Sequence, residues 1–138
     1  MGFVVDASLI VASLVPEVDT DTARLAMVDV QQAGAIAPPH LTLEVANALT
    51  MKFRRRLIDS VYRDAALETF LAYEVGPDPE SDRAAVVRRV VTLADAHALT
   101  LYDAAYLELA RRRSLVLGTL DGPLRDAAIL EGVAVRPA

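Results

Sequence analysis

Apolar residues along the chain follow two patterns, short continuous runs and longer stretches at helical spacing. The short runs predict strands at residues 3–5, 35–37, 73–75, 115–117 and 133–135. The helical spacing predicts helices at residues 7–14, 21–32, 41–53, 59–71, 82–97, 102–112 and 123–130. The segment Gly76-Pro77-Asp78-Pro79 interrupts both patterns and predicts a turn or loop.

The alternation of strands with helices predicts the class of fold. Helical crossovers of this length join parallel strands, so we expect a three-layer α/β/α domain with a small central parallel sheet. No linker, internal repeat or low-complexity tract interrupts the 138 residues. A single domain over residues 1–138 is therefore expected.

Four carboxylates stand where a strand or a turn gives way to a predicted helix: Asp6, Glu44, Asp103 and Asp121. Functional groups of an open parallel sheet collect outside the carboxyl ends of its strands, so the fold can bring these acids together. Two carboxylates about 4 Å apart repel by roughly 4 kcal/mol at an effective dielectric near 20, so such a cluster needs cations or raised pKa values. Oxygen ligands without cysteine favour Mg²⁺ or Mn²⁺, which can activate water to hydrolyse a phosphodiester.

Each acid taken alone also has a structural explanation. Asp6 and Asp121 stand at positions typical of helix N-caps, and Asp103 follows Thr100 at capping-box spacing. Glu44 fits the favourable position of an acid near a helix start. Capping accepts Ser or Asn as readily as Asp, so acids at all four positions favour a metal site over caps alone.

The composition limits the location and the partners. Without cysteine there are no disulfides or thiolates, and we expect a cytoplasmic protein with no export signal and no membrane span. A hydrophobic fraction of 54% and a mean hydropathy of +0.32 are high, which predicts apolar surface covered by a second copy in a homodimer, by another protein, or by both.

The net charge of −5 does not favour non-specific attraction to nucleic acid. Basic residues are nevertheless clustered at 52–56, 88–89 and 111–113. Each cluster can be a local RNA contact or a solvated helix end favoured by the helix dipole. The two histidines, His40 and His97, lie apart without metal-ligand spacing and are interpreted as structural.

Four motifs, in order, resemble those of PIN-domain proteins, and most of all the VapC-type toxins of bacterial and archaeal toxin–antitoxin pairs. They are Val4-Val5-Asp6-Ala7-Ser8, Glu44-Val45-Ala46-Asn47-Ala48-Leu49, the segment 101–110 (LYDAAYLELA) and Thr119-Leu120-Asp121. The third motif is the most specific. The resemblance extends from Asp6 to Val135 and thus over essentially the whole chain.

The resemblance implies a Mg²⁺- or Mn²⁺-dependent endoribonuclease on a Rossmann-like fold. Such an enzyme would cleave a structured cellular RNA, such as a tRNA or rRNA loop, and would be neutralised by a cognate VapB-type antitoxin. The catalytic and metal-binding positions of the family correspond to Asp6, Glu44, Asp103 and Asp121. Its frequent polar companions, expected to contact the ligands rather than the metal, correspond to Ser8, Asn47 and Thr119, with Asp126 a weaker candidate for the site.

Other acid-bearing sites fit the sequence less well. A receiver-type phosphoacceptor needs a lysine at a late strand end, and the only lysine, Lys52, lies among arginines in a predicted helix. A phosphohydrolase with an Asp nucleophile would have a second acid two residues after Asp6, where this chain has Ser8. The alternative that stays open is a PIN-like module that binds RNA or protein without cleaving.

The excess of apolar residues beside a strongly acidic site also suggests how an antitoxin would bind. We expect an antitoxin segment in an apolar groove between the early helices, with a basic side chain, an arginine, placed over the acids.

Overall fold

The computed structural model describes residues 2–138, and the first residue of the expected 1–138 domain lies outside that part. Within residues 2–138 the strands are β1 (Phe3–Val5), β2 (Ala35–Ala37), β3 (Val75–Pro77), β4 (Val116–Gly118) and β5 (Val135–Arg136). The helices are α1 (Ala7–Leu14), α2 (Thr20–Ala33), α3 (Leu41–Arg54), α4 (Ser60–Leu71), α5 (Ala84–His97), α6 (Leu101–Arg113) and α7 (Gly122–Leu130).

The strands form one parallel sheet in the order β3-β2-β1-β4-β5. From β1 the chain adds β2 and β3 on one side and then crosses to add β4 and β5 on the other. The order reverses between β1 and β4, and such a switch point opens a crevice outside the carboxyl ends of the strands. Val5 pairs with Gly118, so the residues that follow β1 and β4 meet at this crevice. The predicted α/β fold with a small parallel sheet is confirmed.

The helices fall into two packed groups, α1 to α4 and α5 to α7. Helix α6 contacts both central strands and is buried on nearly all sides between residues 104 and 110, as expected of a helix without a polar face. Within residues 2–138, no helix combines the length with the apolar character that crossing a bilayer requires.

Gly118, the last residue of β4, allows α1 to lie close against the sheet. A Cβ atom at this position would be 2.9 Å from Cδ2 of Leu9, a fully buried side chain of α1. A larger residue would therefore push α1 away from β4. The start of α1 and the end of β4 are the two segments that carry the candidate site.

The prediction of a turn or loop at residues 76–79 is wrong for its first two residues. Gly76 and Pro77 belong to β3 and pair with Ile36 and Ala37 of β2. Proline lacks the N–H that a central strand needs, but β3 is an edge strand with one neighbour. The sequence pattern alone does not reveal which strand lies at the edge.

The last strand comprises Val135–Arg136 rather than residues 133–135. Gly132 adopts a φ of +73°, and the N–H of Val133 donates to the carbonyl of Ala128 at 2.8 Å. This bond closes the end of α7, so Val133 belongs to the helix terminus. The other elements agree with their predicted bounds within about two residues.

Arg112 joins the end of α6 to the segment after β3. Its Nη2 lies 2.6 Å from Oδ2 of Asp78 and 3.0 Å from Oε1 of Glu108, and its Nη1 lies 3.2 Å from Oε2 of Glu80. Asp78 and Glu108 are buried. Burial alone would raise the pKa of Asp78, but hydrogen bonds from Arg112 and Ser81 bring it below its usual range. This arginine is therefore a structural residue and not part of a free basic surface.

Replacing Arg112 with methionine should destabilise the fold strongly. Buried Asp78 would lose its only basic partner, and buried Glu108 would keep only Arg89 at 3.4 Å. Leaving a buried charge unpaired in this way typically costs about 3–5 kcal/mol. Arg113→Met, at an exposed neighbouring arginine, is the matched control and should change the free energy of unfolding by less than about 1 kcal/mol. Urea unfolding followed by circular dichroism measures both, and equal losses would contradict a special role for Arg112.

Candidate active site

Asp6 follows β1 and is the N-cap of α1. Its Oδ1 accepts hydrogen bonds from the backbone N–H of Leu9 at 3.1 Å and from the hydroxyl of Ser8 at 2.7 Å. Its Oδ2 accepts from the hydroxyl of Thr119 at 2.5 Å, and its own N–H donates to the carbonyl of Gly118 at 3.1 Å. The carboxylate is thus held both by its own helix and by the end of β4. Asp6 is therefore a helix cap, and this role does not exclude the predicted role as an acid of the site.

The environment of Asp6 makes its negative charge costly. Burial raises its pKa to about 6, with a further rise from Asp121, while the bonds from Thr119, Ser8 and Leu9 act in the opposite direction. At neutral pH the side chain is ionised although only 4% of the residue is exposed. Compared with the ordinary value of 3.8, this costs about 3 kcal/mol of folding free energy.

Asp121 is the N-cap of α7 and connects to Asp6 through Thr119. Its Oδ2 accepts from the N–H of Leu124 at 3.0 Å, and its own N–H donates to the Thr119 hydroxyl oxygen at 3.0 Å. The fully buried Thr119 therefore contacts both acids. Ser8 accepts from the N–H of the residue before Asp121 at 2.9 Å, so both predicted hydroxyl companions join the two strand ends.

Glu44 lies in the first turn of α3, where a buried phenol and a histidine hold it. The hydroxyl of Tyr106 donates to its Oε1 at 2.5 Å, and Nε2 of His40 lies 3.3 Å from the same oxygen. His40 Nε2 is also 3.1 Å from the carbonyl oxygen of Tyr102. Burial, followed by the bond to Glu44 and the charge of that acid, raises the pKa of Tyr106, so it remains a protonated donor.

Sequence reasoning assigned no role to Tyr106 and described His40 only as structural. The signals that point to both are helical spacings. Tyr106 lies three residues after Asp103 on α6, and His40 lies four residues before Glu44. Residues three or four apart share one helix face, so each lies on the same side as its acid.

Asp103 lies in the first turn of α6, half-buried, with its N–H bonded to the Thr100 hydroxyl at 3.1 Å. Burial raises its pKa, and the charges of Asp121 and Glu44 raise it further, against smaller opposing effects of Thr100 and His40. Asp121 therefore acts on both Asp6 and Asp103. Charge interactions join Asp6 to Asp121, Asp121 to Asp103 and Asp103 to Glu44, so the four predicted acids form one connected series.

Two predicted residues do not join this group. Asn47 is exposed on α3, and within residues 2–138 it forms no side-chain hydrogen bond with any of the four acids. Asp126 is exposed on α7 and likewise forms none in this part of the chain. Their roles stay predictions.

The donor set suits a hard divalent cation in its chemistry. Among the described residues no basic side chain forms an ion pair with Asp6, Asp103 or Asp121, so their charges lack an internal partner. Carboxylate oxygens are the ligands that Mg²⁺ and Mn²⁺ prefer. No three acidic or histidine side chains of residues 2–138 are already arranged to hold an ion. The residue types and the charge therefore fit a metal.

Known proteins resemble this chain over nearly its full length. It is 34% identical over 126 residues to ribonuclease VapC3 of Pyrobaculum aerophilum, covering 91% of this chain and 94% of that protein. The crystal structure of PAE2754 from Pyrobaculum aerophilum has 25% identity and a TM-score of 0.71, covering 98% of this chain and 83% of the other. No family model matches the sequence.

The fold also recurs in a toxin with a named RNA target. VapC20 of Mycobacterium tuberculosis, described as a sarcin–ricin loop cleaving toxin, superimposes with a TM-score of 0.67 at 18% identity. The match covers 91% of this chain and 95% of VapC20. At this level of identity the likeness concerns the fold.

The pKa of Asp6 predicts how its contribution to stability changes with pH. The group has a pKa of about 6 in the folded chain and 3.8 in the unfolded reference. Above pH 6 it is ionised in both states and the full cost of burial applies. As the pH falls from 6 towards 4, the folded state takes up a proton and this cost disappears.

Asp6→Asn keeps the oxygen that caps α1 but carries no charge. The difference in free energy of unfolding, Asp6→Asn minus wild type, should therefore be about 1 kcal/mol more positive at pH 7 than at pH 5. Urea titrations at both pH values with EDTA measure this difference. Asp29→Asn, at an exposed position on α2, should show no such change, and a flat difference for Asp6→Asn would disprove the raised pKa.

Proposed function

The chain belongs to the VapC family of PIN-domain ribonuclease toxins, and from that premise we propose that it is a Mg²⁺- or Mn²⁺-dependent endoribonuclease acting as one domain over residues 1–138. The observation that most supports this is the series of interacting acids from Asp6 through Asp121 and Asp103 to Glu44. Within residues 2–138 no basic side chain forms an ion pair with Asp6, Asp103 or Asp121.

The proposed ligands of the metal are Asp6, Glu44, Asp103 and Asp121. A bound ion of this kind supplies an activated water and stabilises the leaving oxygen of a phosphodiester. The protein's own contribution is to hold the ligands in place with neutral donors. Thr119 and Ser8 fix Asp6, and Tyr106 fixes Glu44. Because these donors carry no charge, the carboxylates keep their net negative charge, which attracts a cation.

The proposed substrate is a structured RNA with an unpaired loop. The deep, narrow major groove of double-helical RNA keeps side chains from the base edges, whereas loops present unpaired nucleotides that a protein site can reach. The sarcin–ricin loop is the named target of VapC20, so a ribosomal RNA loop is one test substrate. A tRNA anticodon loop is the second.

Asp103→Asn is the cleanest test of the acidic site. Unlike Asp6, the Asp103 side chain does not cap a helix, so the fold should remain intact. Cleavage with Mn²⁺ should fall at least about 100-fold, as is typical when one group that stabilises transition-state charge is removed. The measurement is sequencing of RNA 5′ ends after brief expression in cells that lack the antitoxin, with purified protein assayed on the RNA found. Asp29→Asn, at an exposed position on α2, is the matched control and should cleave like wild type.

Cleavage that survives in Asp103→Asn would reject the proposed site. A soluble, antitoxin-free wild-type protein that cuts no cellular RNA with Mn²⁺ would instead favour the alternative function, a PIN-like domain that binds RNA or protein without cleaving it.

The proposal includes a VapB-type antitoxin bound along the early helices. A groove of about 400 Å³ lies between the end of α1 and the connection of α3 to α4, lined by Val15, Pro16, Glu17, Lys52, Leu57, Ile58, Asp59 and Tyr62. Next to it Val18 and Val61 are exposed to 100% and 76%. Helix α1 spans the roughly 12 Å from this groove to Asp6. An antitoxin segment that follows α1 can therefore reach the acids.

The basic residue of that antitoxin segment should contribute more to inhibition of cleavage than to binding affinity. Replacing the antitoxin arginine over the acids with Gln should leave binding within about 10-fold, because the apolar contacts remain, but release most of the cleavage activity. Calorimetry measures the binding, and RNA cleavage measures the inhibition. Equal inhibition by both antitoxins would remove the arginine from the proposal.

A homodimer is the second proposed assembly. Large apolar side chains remain exposed on several helices, among them Leu25, Leu43, Val87 and Leu130. A second copy of the chain would cover part of this surface.

A further inference from the structure

We infer that Tyr102 is a stacking platform for an unpaired RNA base beside the acidic site. This inference rests on the proposed ribonuclease function and adds a contact that selects single-stranded substrate. Tyr102 is the second residue of α6 and directly precedes Asp103. Its side chain is therefore fixed to the same helix turn as one of the proposed metal ligands.

The exposure of Tyr102 is unusual for an aromatic residue of this chain. It is exposed to 63%, more than any other aromatic side chain in residues 2–138. The next two have internal partners. Tyr62 donates its hydroxyl to the carbonyl of Leu14 at 2.9 Å, and the ring of Phe53 lies 4.9 Å beneath the guanidinium of Arg63. The Tyr102 hydroxyl has no hydrogen-bond partner within the described residues.

The position of the ring is nevertheless defined. His40 meets it edge-on, with 5.5 Å between ring centroids and an interplanar angle of 66°. The same histidine contacts the Tyr102 carbonyl oxygen at 3.1 Å and Glu44 at 3.3 Å. A single imidazole thus ties the start of α6, the exposed ring and a proposed metal ligand together. Tyr102 is held at its backbone and at one edge, and most of its ring surface is open to solvent.

Electrostatics explains why such a platform is needed. Four acids and a net charge of −5 repel the phosphates of RNA. Beyond the attraction of a bound metal for phosphate, affinity close to the acids therefore gains from contacts that do not depend on charge. Stacking of a base on an aromatic ring increases affinity roughly 5- to 150-fold per base and requires an unstacked nucleotide. A base stacked on Tyr102 would lie within one helix turn of Asp103, a proposed metal ligand.

The test compares Tyr102→Leu with Tyr102→Phe on an oligoribonucleotide that spans the mapped cleavage site. Leucine removes the aromatic face, whereas phenylalanine keeps it and removes only the unpartnered hydroxyl. Tyr102→Leu should raise KM about 10-fold or more with little change in kcat, and Tyr102→Phe should stay within about twofold of wild type. Leu101→Ala, at the neighbouring residue exposed to 51%, is the control for general loss of apolar surface and should behave like wild type.

A binding measurement separates stacking from catalysis. In the Asp103→Asn background, 2-aminopurine placed at unpaired positions flanking the cleavage site should be quenched by the protein with Tyr102 or Phe at this position. The quenching should be lost with Leu. Thermal unfolding of each variant establishes that the fold is intact.

Unchanged KM and unchanged quenching in Tyr102→Leu would overturn the inference while the ribonuclease function stands. A lower oligomer mass or weaker antitoxin inhibition in Tyr102→Leu, with KM unchanged, would assign the ring to a protein interface instead and would also overturn it. Failure of the wild-type protein to cleave any RNA is a different result, since it would reject the proposed function before the variants are compared.

Discussion

The parallel pairing of β1 with β4 is the constraint on which the rest of the structure depends. It brings Asp6 and Thr119 into hydrogen-bond contact although they are 113 residues apart. Gly118 allows α1 to start directly against the end of β4, so Asp6 caps that helix while it contacts the second strand. The Thr119 hydroxyl oxygen also accepts a hydrogen bond from the N–H of Asp121. The crevice at this switch point exists because two helices begin there from adjacent strands.

The chain treats its buried acids in two opposite ways. Away from the switch point, Arg112 neutralises Asp78 and Glu108, and these residues join elements of the fold. At the switch point the acids receive hydrogen bonds from hydroxyl and phenol groups, which direct the carboxylates without cancelling their charge. A site arranged in this way costs folding free energy and attracts cations. That difference, more than the number of acids, separates a functional cluster from a structural one.

The fold could be predicted from the sequence to the extent that it depends on local pattern. Helical periodicity and short apolar runs located the helices and the central strands, because these patterns record which face of an element is buried. They did not locate Pro77 in a strand, since proline is tolerated only where a neighbour is missing and that depends on the order of the whole sheet. Val133 was predicted to lie in the last strand, but its N–H donates a hydrogen bond to Ala128 at the end of α7.

The sequence by itself determined the residue types of the site and their place at helix starts, because caps, motifs and the absence of cysteine are local properties. It also predicted Ser8 and Thr119 as companions of the acids. Only the tertiary structure decided that Tyr106 holds Glu44, that His40 joins α3 to α6 and that Arg112 is internal. Those roles depend on distances between segments far apart in the chain. Such distances follow from strand order and helix packing, which no single segment of the sequence encodes.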